Sequence, residues 1–367
     1  MRPPRSEGTG WFAGSSWCGE PGAFGGVSRC AEPESFGGSS RSEGPGCFGG
    51  SPWAEEPESF GGSSRSEEPG RFGGSRRCQE PKSFGGQPRF VALGDSLTEG
   101  VGDPAGNGAW RGWAALLADG LSAEAAAFTN LAVSGAQTRD VLERQLPTAL
   151  ELRPDLVSVV VGVNDTLRCT FDIRAVAARL DQVYAACTEQ GTVLLTACLP
   201  DPGRMLGLPG ALANPLARRQ RAVNTVVHAL SERYGALHLH AGECDWTTDR
   251  ALWSADRLHP GERGHRQLAL RFHALLAEHG LATGPAPSPE PEFPAPAKAA
   301  SLWWLATAGT GWVARRCTDL LPQLLALAAD ELRHRARGTS AGLDLRASAA
   351  VSAALGALSV AERADAV

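Results

Sequence analysis

Four short segments of this 367-residue chain carry residue types that could support nucleophilic catalysis. Gly94-Asp95-Ser96-Leu97 closes a short apolar run, Arg89-Phe-Val-Ala-Leu93. A serine just past the C-terminal end of a buried strand stands where open α/β sheets present reactive groups. A serine hydroxyl is a poor nucleophile near neutral pH, so it needs a base within hydrogen-bond reach and a third group to orient that base. Asp256 and His259 are three residues apart, close enough to share one turn of chain after the last strand. Between these ends come Asn130-Leu-Ala-Val-Ser-Gly135 and Gly162-Val-Asn164-Asp165. Taken singly, each segment has an ordinary reading. Asp-x-x-His suits a surface loop, Gly135 a turn, and Asn164 a cap for the helix after its strand.

In this order, the four blocks resemble those of the SGNH (GDSL) hydrolase family, which supply Ser, Gly, Asn and His. The resemblance covers residues 88–280, about half the chain. It implies a GDSL esterase or lipase that cleaves carboxylic esters through an acyl-Ser96 intermediate, without metal or organic cofactor. It makes Ser96 the nucleophile, His259 the base that takes its proton, and Asp256 the group that fixes the imidazole tautomer. The oxyanion donors it implies are the backbone N–H of Ser96, the backbone N–H of Gly135 and the side-chain amide of Asn164. A glycine at 135 avoids crowding a substrate, and an asparagine at a strand end can aim two N–H groups without adding charge. The same machinery serves a carbohydrate O-acetylesterase or a thioesterase, and a non-catalytic interaction scaffold is the alternative from another class.

Other chemistries find less support. The Gly-x-Ser-x-Gly elbow of α/β-hydrolases is absent, as is a Gly-x-x-x-x-Gly-Lys-Ser/Thr phosphate loop. His238 and His240 alternate with Leu237 and Leu239 and so share one strand face; they read as satisfied or solvent-facing histidines rather than ligands. His265 reads as packing, and Cys169, Cys187, Cys198 and Cys244 as core or loop thiols. Net charge is −5, which argues against an electrostatic nucleic-acid partner; the expected partner is a small-molecule or lipid ester. Nine cysteines without Cys-x-x-Cys pairs indicate neither a disulfide framework nor a zinc site. The first residues lack the apolar stretch of a secretory signal, and no run of about 18 consecutive apolar residues suggests a spanning helix. The expected compartment is the cytoplasm.

The elements that must position these residues alternate in type. Apolar, β-branched runs occur at 89–94, 126–133, 155–163, 192–199 and 236–240. Segments of helical spacing separate them near 109–121, 137–150, 172–190, 213–234 and 261–279. This pattern predicts a three-layer α/β/α sandwich with a five-stranded parallel sheet, the flavodoxin-like fold that the resemblance also implies. Loops 101–112 and 200–215 are the expected pocket walls.

Outside this domain, Phe12, Phe24, Phe36, Phe48, Phe60, Phe72 and Phe84 recur every twelve residues in a Gly-, Ser-, Pro- and Glu-rich repeat. Such a composition buries too little apolar surface to offset the entropy of ordering, so residues 1–87 are expected to be disordered. Two readings stand: an aromatic-spaced interaction arm, or translation from a wrongly assigned start codon. A proline-rich linker at 281–300 should be extended and semi-rigid, leading to a helical tail, 301–367. There Leu320, Leu321, Leu324, Leu325, Ala328 and Leu332 fall on one face near 313–336, with Pro322 as an interruption or first turn, and an Ala-rich helix is expected near 346–357. With Trp303-Trp304 and the basic end Arg333-His334-Arg335, this tail could contact a membrane peripherally or dock on the hydrolase domain. Mass spectrometry of the native N-terminus separates the readings of the repeat: peptides from residues 1–87 would eliminate the start-site account.

Overall fold

In this computed structural model the described residues are 84, 86–106, 108–124, 126–243, 246, 249–254, 256–293 and 308–365, with backbone alone at 243, 308–321 and 361–365. The repeat up to residue 83, most of the second half of the proline-rich linker and Trp303-Trp304 lie outside them. Five strands, β1 Arg89–Gly94, β2 Ala127–Asn130, β3 Leu156–Val160, β4 Val193–Ala197 and β5 Leu237–Leu239, form one sheet in the order β2-β1-β3-β4-β5. All four pairings are parallel. This is a doubly wound order, and it places the topological switch between β1 and β3.

Helices cover both faces, which is why β3, Leu-Val-Ser-Val-Val, is buried along its whole length. The labelled helices are α1 Ser96–Glu99, α2 Gly112–Gly120, α3 over 138–151, α4 Ile173–Glu189, α5 Gly210–Arg233 and α6 Glu262–Glu278. Val91, Leu93, Val157, Val159 and Leu194 point to the layer of α3, α4 and α5. Phe90, Ala92, Leu156, Val160 and Leu195 point to α2 and α6, where Trp113 stacks on Phe272 at 4.6 Å. The three-layer α/β/α sandwich predicted from alternation is therefore present. β1 fills its run, whereas β2 to β5 are shorter than theirs because the trailing residues turn out of the sheet.

Residues 281–293 carry no helix or strand, as their prolines require, yet they are strapped to the domain. Thr283 N–H donates to Leu121 O. Arg266 donates to Ser288 O and pairs with Glu262 and Glu292. Arg111 joins Glu262 and Glu292 to the buried Asp103, so the linker and the 101–112 loop share one ionic network.

The tail forms two long helices, α7 Ala308–Ala336 and α8 Ser340–Asp365. They contact α4 and α5, and Val351 and Ala354 join the core on that side. Residues 340–360 have the length and apolar composition to cross a bilayer, a property that counting consecutive apolar residues does not detect; here the segment docks, with Asp344 paired to Arg218. Two expectations for α7 need correction. The helix runs through Pro322 instead of starting or stopping there. The leucine face is only partly in the contact: among its described side chains Leu324 and Ala328 are half-buried, but Leu325 and Leu332 are 54% and 52% exposed, whereas Glu331 is 2% exposed. Arg218 on α5 accounts for this orientation, donating to Glu331 Oε2 at 3.2 Å.

Removing one partner of a buried ion pair leaves the other charge uncompensated, at a cost of about 3–5 kcal/mol. Arg218→Met should lower stability by about 3 kcal/mol, since Arg218 keeps some solvent contact, and should expose α7 and α8 to proteolysis. The double variant Arg218→Met, Glu331→Leu should recover most of the loss in urea unfolding. Equal instability of both variants would show that the pair does not hold the tail.

Candidate active site

β1 ends in Gly94, which has φ 155°. A Cβ there would lie 2.4 Å from Val160 O, so only glycine lets β1 run this close to β3. At this end of the strand Gly94 O still accepts from Val133 N–H, and the side chain of Gln145 adds a second bridge. It accepts from Gly94 N–H and donates to Gly94 O, both at 2.8 Å. The chain then turns at Asp95, whose carboxylate caps α1 through Leu97 N–H at 3.1 Å, and Ser96 becomes the first residue of that helical turn.

The other half of the site lies between β5 and α6. Ser254 N–H donates to His259 O and Gly261 N–H to Leu252 O, closing the loop as a tight ribbon. Arg257 takes a left-handed φ of 58° inside it, a conformation that costs of order 1–3 kcal/mol for a non-glycine residue and needs support from its surroundings. Asp256 supplies that support: its Oδ1 accepts from Ser254 Oγ–H at 2.6 Å, Leu258 N–H at 2.9 Å and His259 N–H at 3.0 Å. Its Oδ2 remains for His259 Nδ1, 2.6 Å away. Burial opposes the charge on Asp256, but the hydrogen bonds and charge of His259 and the bond from Ser254 outweigh it and hold the carboxyl near 2. An ionised carboxylate only accepts, so Nδ1 carries a proton and Nε2 of the neutral ring is an acceptor. Ser96 Oγ lies 2.8 Å from that Nε2. An unbroken hydrogen-bond chain thus runs from Asp256 through His259 to Ser96.

Ser96, His259, Asp95 and Asn164 line one small cavity of about 60 Å³. Its remaining wall is apolar and includes Leu199, Pro200, Met205, Trp246, Trp253 and Leu258. A larger cavity near Arg89, Arg153 and Val193 opens at the N-terminal ends of β1, β3 and β4, away from these groups. Asn164 follows β3 in a single helical turn, Val163–Thr166, and its Nδ2 donates to Asp95 Oδ2 and to Ala136 O, both at 3.1 Å. Both N–H bonds of that amide are therefore used within the protein. Gly135 does not line the cavity, but it adjoins Ala136 and sits in a turn at φ 83°. The amides of Ser96 and Gly135 donate to no other group among the described residues.

Comparison with known proteins gives the site its context. Residues 92–267, just under half of the chain, match the GDSL-like Lipase/Acylhydrolase family. The chain is a GDSL-like serine hydrolase of carboxylic esters, and a small-molecule ester is its substrate. It is 28% identical over 204 residues to an acetylxylan esterase of Geobacillus stearothermophilus, spanning 50% of this chain and 91% of that protein. Among solved structures it is similar to Axe2, an acetylxylan esterase from Geobacillus stearothermophilus (20% identity, TM-score 0.42, 55% of this chain and 97% of the other). It is also similar to LAE5, an α/β hydrolase from the metagenome of Lake Arreo, Spain (23% identity, TM-score 0.44, 55% and 99%).

Several residues have parts that sequence reading of this esterase did not assign. Asp165, next to Asn164, accepts from Thr138 N–H at 3.0 Å and Thr138 Oγ–H at 2.7 Å, tying the turn after β3 to the start of α3. His265 is a packing residue, as expected: Nδ1 accepts from Trp113 N–H and Nε2–H donates to Val101 O. Its burial pushes it down to about 4. His238 and His240 do share a face, but His228 from α5 and Cys198 after β4 meet them there, so Cys198 is not an isolated core thiol. Burial, with His228 and His240 beside it, pushes His238 down to about 3.

Asp95 is the titrating group to test. Burial raises it from 3.8 to about 6, against the lowering effects of Leu97 N–H, the His259 charge and Asn164. Between about pH 4 and 6 the folded state therefore holds a proton that the unfolded state has lost. Its stabilising contribution is full below pH 3.8 and is lost as pH rises through 6. The difference corresponds to about 3 kcal/mol. Urea unfolding at pH 4 to 7 should show the wild type losing about that much more than Asp95→Asn; parallel pH curves would contradict a raised Asp95.

Proposed function

We propose that Ser96, His259 and Asp256 carry out the ester hydrolysis, and that the preferred acyl group is short, acetyl above all. The observation that carries the assignment is the Asp256–His259–Ser96 hydrogen-bond chain opening on an apolar cavity. Ser96 Oγ attacks the acyl carbonyl as His259 Nε2 takes its proton. The same proton then passes to the departing alkoxide, leaving acyl-Ser96. Water, activated by His259, attacks this ester in turn and releases the acid and free serine. Asp256 remains ionised throughout, holding the imidazole tautomer and balancing its transient positive charge.

The tetrahedral oxyanion needs donors already in place. On this reading they are the N–H groups of Ser96 and Gly135 and one N–H of Asn164. Asn164 keeps its bond to Asp95 and turns the other from Ala136 O toward the substrate. Asp95 is then a positioning residue for the amide and takes no proton in the cycle.

The short acyl group is favoured by the narrowness of the space beside Ser96 and His259, which Leu199, Pro200, Met205, Trp246, Trp253 and Leu258 close in. The acetylxylan esterase relative favours a carbohydrate O-acetyl ester as the second reading, and the Trp246–Trp253 pair, stacked at 5.0 Å, supplies an aromatic wall against which a sugar ring could rest.

Hydrolysis of p-nitrophenyl esters from acetyl to palmitoyl tests both parts. Turnover should be highest for acetyl, fall steeply beyond butyryl, and vanish with organophosphate labelling in Ser96→Ala. Asn164→Ala should lower the rate about 100-fold while retaining the label. A palmitoyl optimum would refute the acyl-length reading, and retained turnover in Ser96→Ala would refute the mechanism.

A further inference from the structure

We propose that Cys198, His228, His238 and His240 form a structural zinc site, separate from the ester-hydrolysing groups. Cys198 directly follows β4, His238 lies in β5, His240 comes one residue after it, and His228 projects from α5. One ligand atom from each lies within 4.8 Å of all the others. The three imidazoles meet edge to face: His228–His238, His228–His240 and His238–His240 have centroids 4.6, 5.0 and 4.8 Å apart at 80°, 64° and 84°. Three rings this close, with a cysteine sulfur or ring nitrogen of each residue within the same short distance of the others, are compact enough to be drawn onto one ion.

The groups around the cluster are those a metal site requires. His238 Nδ1 lies 2.9 Å from Thr196 Oγ1 and 3.3 Å from Ser231 Oγ, while its buried Nε2 has no hydrogen-bond partner among the described residues. A ligating histidine has this character: one nitrogen is held by a protein oxygen, which fixes the tautomer and aims the other nitrogen at the ion. Gly242 N–H donates to Cys198 Sγ at 3.3 Å, a contact that would stabilise a thiolate. Three imidazole nitrogens and one thiolate suit Zn²⁺, a borderline-soft ion that favours tetrahedral sites of mixed nitrogen and sulfur. Zinc bonds of about 2.0–2.3 Å put ligand atoms about 3.3–3.8 Å apart, so closure needs a tightening of about 1 Å. His240, the exposed member, lies on the solvent side, where an ion can enter.

Four protein ligands leave no position for water, so the site is structural and not catalytic. Its position gives it a purpose. Leu199 and Pro200, which line the acyl cavity, immediately follow Cys198, and Asn224 on α5 holds Leu199 at both its N–H and its C=O. An ion on Cys198, His228 and the two β5 histidines would tie β4, β5 and α5 together beside that wall.

The test titrates the full chain, stripped by chelator and dialysed, with Co²⁺ and then Zn²⁺. One Co²⁺ per chain should bind with the intense visible absorption of a tetrahedral ion and a thiolate charge-transfer band, and Zn²⁺ should displace it. Cys198→Ser should remove the charge-transfer band. His240→Ala should weaken binding at least about 100-fold, and Thr196→Val about 10–100-fold. Hydrolysis of p-nitrophenyl acetate should persist in His240→Ala, which separates failure of this site from failure of the Ser96 mechanism. No tetrahedral spectrum, or one unchanged in both Cys198→Ser and His240→Ala, would overturn the proposal.

Discussion

The site depends on how β1 leaves the sheet. In a parallel sheet wound in both directions from one strand, the neighbours of that strand carry their connections to opposite faces, and a crevice opens beyond its carboxyl end. The last residue of the strand then has an amide that must find a partner in a buried place. Gln145 supplies it, its side-chain amide pairing with both the N–H and the C=O of Gly94, whose C=O also accepts from Val133 N–H. Because that contact fixes the peptide at Gly94, while Val160 O and Thr98 leave no room for a side chain there, the direction of the next two residues is set. Ser96 is aimed by a contact made two residues before it.

The opposite side of the crevice is built by a different device. The loop from Leu252 to Gly261 lies outside the sheet; its ends are closed by two backbone hydrogen bonds, and its turn is ordered by one carboxylate that accepts three donors through a single oxygen. Asp256 thereby does two jobs with separate atoms: Oδ1 shapes the loop and Oδ2 orients His259. Loss of the loop contacts would disturb the imidazole even if the aspartate–histidine pair survived.

The sequence made much of this legible, for reasons that also explain where it stopped. Strand and helix periods showed the alternation because a sheet covered on both faces demands continuous apolar strands, as at Leu156–Val160. The four chemical blocks could be ordered because each follows a strand. Side-chain pairings across distant segments could not be read. Nothing in local spacing connects Gln145 to Gly94, Thr138 to Asp165, or Arg111 to Glu262 and Glu292. The α7 leucine pattern misled because periodicity counts apolar area and is blind to a single charge drawn inward by a partner, here Glu331 by Arg218. His228 escaped for the same reason: a helix brings it to a strand pair ten residues away, and only the fold puts the three imidazoles and Cys198 together.

Two carboxylates near the imidazole, Asp256 and Asp95, are held in opposite directions, one near 2 and the other near 6. The cause is the number and kind of donors. Asp256 receives three neutral donors and the His259 ring, so its charge is solvated by protein. Asp95 is the more deeply buried of the two and receives only Leu97 N–H and Asn164 Nδ2, too few to replace water. Such a split separates roles within one pocket: the well-solvated carboxylate can remain charged beside a transient imidazolium, while the other cannot easily compete for it. Asp95 is left to hold Asn164, and the strength of that hold varies with its own charge, so the placement of the amide is linked to the cost of burying the aspartate beside Ser96.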